Sequence, residues 1–430
     1  MKKYIPLYVI SVLMLSCTNN ERITNPQDYD VFLRANTTNK IAHIDAETEF
    51  WKARLKNVED DIVSRSKLAG LLEKRFSYSG NVSELLQADS IYKLVNAIQS
   101  KMSSGTFRSL ASNSIRLHKF KLAQKYIDSA LALGDDKYLS LLIQFDIAIE
   151  LGNRYQAKEV LEKLGNKNGF DYLIRAAKYA DHTEGNLDEA IRLMEKAVKE
   201  VEKNETLWLW AKANLGDMYG HANKLRESYN CYLEVLSRDP RYYHALKGVA
   251  WLAFSGDKDP REAKRIISSL RKLHNVPDYT LLLAEIAAFE NNQKERDVYI
   301  ADFLKIVRDP SYGDMYNKYV FFLQSDFFDN AEQAISLATR ETENRPNAEA
   351  YSWLAWAYFK QGKIDEALRI TKAKVENKSF DPEVLYRMGI MYQNAGDKNK
   401  AKEYLNDAMS SAYELGPLTA KDISKALHTL

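Results

Sequence analysis

The chain has 430 residues, 28% charged and 45% hydrophobic, with 61 Lys+Arg against 59 Asp+Glu. Nine prolines and 17 glycines are too few for the many turns of an all-β protein and suit long helices on short loops. A formal balance of +2 offers no clustered basic surface for nucleic acid, and one hydrophobic core of this size would be unusual, so several domains or a repeat array is expected.

The first elements are Lys2 and Lys3, an uncharged run from Tyr4 to Ser16, and Cys17. The run is too short to cross a bilayer as a helix. Its basic start, short apolar stretch and Met14-Leu15-Ser16-Cys17 resemble a bacterial lipoprotein signal peptide with its lipobox. That resemblance implies loss of residues 1–16 and acylation of Cys17. Thr18 after the cysteine then points to the outer membrane, on the periplasmic face or at the cell surface. Removal of Lys2 and Lys3 leaves a chain near neutrality. With Cys17 acylated, Cys231 has no disulfide partner within the chain and reads as a small buried hydrophobe. Residues 17–45 are mostly polar and read as a flexible tether, with Val31-Phe32-Leu33 docking on the first helices.

Residues 46–430 carry the repeat that sets the fold. Ala355, Tyr358, Gly362 and Ala367 recur 34 residues later as Gly389, Tyr392, Gly396 and Ala401. Small residues let two helices approach closely, an aromatic fills the space beside them, and glycine closes the first helix in a left-handed turn. This period and these residue types resemble the tetratricopeptide repeat. Further units are marked by Gly216, Tyr219, Ser228, Tyr232 and Asp239-Pro240, and by Ala250, Gly256, Ala263 and Ile267, the latter with an insertion at Asp259-Pro260. Ala123, Ala157 and Ala190 extend the frame backwards, Gly152 and Gly185 lying five residues before the last two. A weak unit with Ala88 at the crossing begins the array, and Thr419–Leu430 suits an amphipathic cap. The expected fold is all-α, an α-α superhelix of roughly ten helical hairpins.

No catalytic constellation accompanies this repeat. Phosphate-loop, dinucleotide and serine-elbow signatures are missing, and the seven histidines lack zinc-pair spacing. Asp257-Lys258-Asp259 opens like a calcium loop but lacks the central glycine and closing glutamate, and reads as a solvated turn. Neither a cofactor nor a metal is expected.

In tetratricopeptide arrays the first helix of each pair lines a concave groove. By that resemblance Trp210, His221, Lys247, Trp251, Phe254, Trp356, Phe359, Tyr386 and Asn394 are the candidate groove residues. Trp251 with Phe254, and Trp356 with Phe359, are one helical turn apart in two separate units. The expected function is a non-catalytic scaffold, held to the outer membrane by its lipid and binding an envelope protein or peptide segment. The alternative is a glycan- or small-ligand-binding lipoprotein of the SusD type, which requires long irregular insertions. An enzyme or enzyme subunit ranks third.

Overall fold

The computed structural model describes residues 22–34, 39–58, 60–274 and 276–430, so the signal segment and Cys17 lie outside the described residues. Regular structure among them is entirely helical. Two helices, α1 (Pro26–Leu33) and α2 (Asn39–Asn57), precede the array. The first five hairpins pair α3 (Ile62–Ser79) with α4 (Val82–Ile98), α5 (Ser104–Arg116) with α6 (Phe120–Leu133), α7 (Lys137–Glu150) with α8 (Arg154–Leu164), α9 (Phe170–Glu184) with α10 (Leu187–Glu200), and α11 (Glu205–His221) with α12 (Leu225–Arg238). The next five pair α13 (Tyr243–Trp251) with α14 (Pro260–Leu273), α15 (Pro277–Phe289) with α16 (Gln293–Val307), α17 (Asn317–Phe322) with α18 (Ala331–Asn344), α19 (Ala348–Lys360) with α20 (Ile364–Ile370), and α21 (Pro382–Asn394) with α22 (Lys398–Ser410). Helix α23 (Ala412–His428) ends the chain.

One local rule builds nearly all these hairpins. Five residues before each crossing residue the backbone turns left-handed, at Gly152, Gly185, Asn223, Asn291, Asp329, Gly362 and Gly396 among others. The following residue often caps the second helix: Asn153, Asn186, Asn292, Asn330 and Asp397 each accept from the amide three positions on. The crossing itself is tight. A Cβ on Gly389 would lie 2.6 Å from Leu405 Cγ, so only glycine fits between α21 and α22.

Three hairpins hold one extra residue. In most units the amide after the left-handed residue donates to the carbonyl five back, as Asn153 does to Ala148 and Asp397 to Tyr392. Asn186, Asp259 and Asn330 reach six back, to Ala180, Ala253 and Gln324. In the sixth and eighth hairpins the surplus forms a π turn, at Leu252–Gly256 and Leu323–Phe327. This corrects the expected insertion at Asp259-Pro260. The left-handed residue is Lys258 (φ 57°), not Gly256, and Pro260 is simply the first residue of α14.

The array coils until its later units touch its earlier ones. Asn344 Nδ2 donates to the carbonyl of His118 (2.8 Å), and Asn347 Nδ2 to that of Glu150 (3.0 Å). Arg154 donates to the carbonyl of Asn377 (3.2 Å), and Phe380 lies against Gly185. These contacts join residues about two hundred positions apart, so the superhelix closes around an interior.

Two terminal elements depart from the expectation. Residues 22–34 are a docked strap rather than free tether. The Asp257 carboxylate accepts from Ile23 N (2.7 Å), Thr24 N (3.0 Å) and Thr24 Oγ1 (2.6 Å). Tyr29, fully buried, donates to Glu262 (2.6 Å). Asp257 is therefore a strap receptor, its side chain only 5% exposed, and not a solvated turn. The strap sits on α12 and α14 in mid-array, where Phe32 and Leu33 join the large core, not on the first helices. At the other end Ile423, Ala426 and Leu427 of α23 pack against Leu405 and Ala408 of the last hairpin. The start of α23, however, enters the interior beside α11 and the π turn that follows α13.

Candidate functional site

The interior holds a cavity of about 830 Å³. Its walls come mainly from the first helices of five hairpins: Asp217 and His221 on α11, His244, Lys247 and Trp251 on α13, Leu281 and Glu285 on α15, Lys318, Tyr319 and Phe322 on α17, and Glu383 on α21. Tyr413, Glu414 and Leu418 of α23 close it. The π turns sit directly after Trp251 and Phe322, so both widened helices carry an aromatic ring into this space. A second cavity of about 890 Å³, shared through His244, Lys247 and Asp278, extends towards α2 and α3.

The closing segment is held by a backbone exception. Pro417 has no N–H, so the carbonyl of Tyr413 lacks its helical donor four residues on. Trp251 Nε1 (3.1 Å) and Ser255 Oγ (2.6 Å) supply the missing hydrogen bonds. Gly416 (φ 79°, ψ 165°) breaks the helix there, in a conformation that only glycine adopts easily. A Cβ on Gly416 would lie 2.7 Å from Glu285 Oε1 and 3.0 Å from Trp251 Cη2. Glycine therefore leaves room for both side chains at one point.

The cavity is acidic, with seven carboxylates facing three lysine or arginine side chains. Most of these acids have partners. Burial works against the Asp217 carboxylate, but His244 Nε2 (2.7 Å) and Tyr232 Oη (2.6 Å) hold it below its ordinary range. Asp278 accepts from Tyr316 Oη (2.7 Å), and Asp326 from Trp356 Nε1 (2.8 Å). Glu383 pairs with Lys318 (3.1 Å) and Arg387 (3.7 Å), and Asp381 caps α21. Glu414 has only His221, at 3.8 Å, and burial pushes its carboxyl up to about 7. Glu285 is the exception. It is half-buried in the cavity wall, and among the described residues no hydrogen bond or ion pair reaches its carboxylate. Burial, with repulsion from Glu383, pushes that carboxyl up to about 8.

The sequence-derived candidates divide sharply. His221, Lys247 and Trp251 line the first cavity, and Trp210 and Lys247 the second. Phe254 does not face the groove: it is fully buried between Trp251 and Phe289. Trp356 is buried too, stacked on Phe359 at 5.0 Å, so this pair packs between units instead of opening to the interior. Tyr386 lies under α23, and Asn394 is exposed with its amide turned back to the carbonyl of Ile390. The missed residues are Glu285, Lys318, Tyr319 and Phe322. They lie on α15 and α17, where neither the glycine nor the small residue of the repeat marks the frame cleanly.

Residues 349–373 and 383–412, the ninth and tenth hairpins, match a family model described as tetratricopeptide repeat. These two hairpins carry the tetratricopeptide repeat. Solved structures of similar fold include a human IFIT1 dimer with m7Gppp-AAAA, 16% identical over 76% of this chain and 75% of that one (TM-score 0.47). A tetratricopeptide repeat protein from Parabacteroides merdae is 16% identical over 60% of this chain and 97% of that one (TM-score 0.35). Yeast Tom70 is 12% identical over 94% and 97% (TM-score 0.36). These likenesses concern the helical fold alone. No curated protein matches the sequence.

Among the described residues no group of three or more His, Cys, Asp or Glu side chains could hold a metal ion. No described helix is long and apolar enough to cross a membrane. Cys231 is buried and its thiol is pushed up to about 12 by that burial, which leaves it unreactive as a nucleophile.

Proposed function

We propose that this chain is a non-catalytic binding protein, held to a bacterial outer membrane through an acylated Cys17, that seats a segment of an envelope protein in the interior of its superhelix. The observation that carries the reading is the cavity of about 830 Å³ where the first helices of five hairpins and α23 converge. Its mix of rings and charges suits a peptide better than a featureless apolar ligand. The aromatic faces supply contact area, and the fixed carboxylates supply orientation. The tetratricopeptide repeats of the last hairpins support a protein partner. The glycan alternative is weaker here, because the described hairpins follow one another on short connections without long insertions.

The test is site-specific photocrosslinking in intact cells, with the reactive residue at Leu281 or Tyr319 inside and at Tyr155, 90% exposed, outside. Capture of the same envelope protein from both interior positions, and not from Tyr155, supports the reading. Interior positions that yield no protein adduct overturn it.

A further inference from the structure

We infer that the interior cavity selects a partner segment presenting a lysine or arginine side chain, seated on the Glu285 carboxylate beside Trp251. The inference rests on the peptide-binding reading above and names the chemistry of that peptide.

Three observations converge on it. First, the cavity carries an excess of carboxylates, yet every one except Glu285 has a hydrogen-bond donor, histidine or fixed cation beside it. A half-buried acid on a cavity wall with no partner in the fold is placed to take a cation from outside as the other half of a pair. Second, the neighbouring rings already show how cations are held in this interior. Arg387 lies 3.7 Å from the centroid of the Phe322 ring, and Arg296 lies 4.8 Å from that of Phe327. Third, the wall is shaped around Glu285. Gly416 bears no Cβ at the point where one would strike both Glu285 and Trp251, and Pro417 commits the Tyr413 carbonyl to Trp251 instead of to its own helix. The carboxylate and the indole are thus held against one rigid segment of backbone.

A lysine or arginine stem would lie along the apolar lining from Leu281 and Ala288, with its charged end on Glu285. Ionisation of the carboxyl on binding would give a charge-assisted hydrogen bond.

The experiment selects a random decapeptide library against the full-length mature protein and against Glu285→Gln, an isosteric change that removes the ionisable group and leaves the fold intact. The wild type is expected to enrich peptides with Lys or Arg at a fixed position, and Glu285→Gln to lose that preference. Replacing the basic residue of an enriched peptide, Arg by citrulline or Lys by acetyl-lysine, is expected to weaken wild-type binding at least tenfold and binding to Glu285→Gln less than twofold. Enrichment of neutral peptides that crosslink inside the cavity would leave the peptide reading standing and overturn the cation. The same basic preference in both proteins would overturn the role of Glu285. Failure to enrich any peptide would overturn this inference together with the reading it rests on.

Discussion

The Trp251 indole donates to the carbonyl of Tyr413, 162 positions along the chain, at 3.1 Å. This bond ties the C-terminal helix to the middle of the array and makes the end of the chain a wall of the cavity. Trp251→Phe keeps a ring but leaves that buried carbonyl with Ser255 alone, and is expected to cost about 1–2 kcal/mol. Trp251→Ala also opens a void, and should cost about 3–5 kcal/mol. Denaturant unfolding measures both, and a Trp251→Phe variant as stable as the wild type would show that the hydrogen bond contributes nothing.

Glu285 makes stability depend on pH in a definite direction. Its folded carboxyl titrates near 8, well above the ordinary value of 4.5, so between those limits the native state binds more protons than the unfolded chain. Stability therefore falls as pH rises through that window. The full shift is an upper limit, because water in the cavity screens the charge. After that discount the fall attributable to Glu285 is about 1–3 kcal/mol. Glu285→Gln should melt near the wild type at pH 5 and higher than it at pH 8.5. A constant difference across that range would contradict the assignment.

The strap depends on one carboxylate. Asp257→Ala removes the acceptor for two backbone amides and the Thr24 hydroxyl, and the 3.8 Å ion pair with Arg22. The local cost should be about 2–4 kcal/mol. Residues 22–34 should then exchange amide hydrogens quickly and be cleaved first by protease, while the hairpins keep their protection. Loss of protection throughout the array would show that the strap is part of the global core.

The left-handed turn residues offer a matched pair. At Gly362 (φ 79°) a Cβ would meet no atom within 4 Å, so Gly362→Ala measures the backbone penalty alone, about 1 kcal/mol. At Asp329 (φ 50°) the side chain is 81% exposed, its nearest cation Lys360 at 3.7 Å. Asp329→Gly should therefore be neutral or stabilising by about 0.5 kcal/mol. Thermal melts of the two variants test both signs.

The same turns explain what could be read from the sequence. Where the left-handed position is glycine, as at Gly152, Gly185, Gly362 and Gly396, the repeat stands out. Where His118, Asn223, Lys258, Asn291 or Asp329 takes that conformation, the glycine signal vanishes while the geometry persists. The extra residue in the sixth and eighth hairpins shifts the frame by one. That shift makes Gly256 resemble a turn glycine and moves Phe322 out of the register of the repeat. Glu285 was illegible for a different reason. A glutamate in mid-helix normally faces water, and only the closure of distant units and the return of α23 enclose it. The pairing of Phe254 with Trp251 followed from helical spacing, but spacing does not say which of two rings points inward.

The docked strap also fixes where the protein would be moored. Counted from Cys17, Arg22 is five residues on, and a fully extended chain of that length spans about 17 Å. On the lipid-anchor proposal the leash is thus short. It pulls from Asp257, at the turn of the sixth hairpin, not from the end of the array. On that proposal the bilayer would lie near the strap, on the side of α12 and α14. A partner would then have to enter from the side facing away from the membrane.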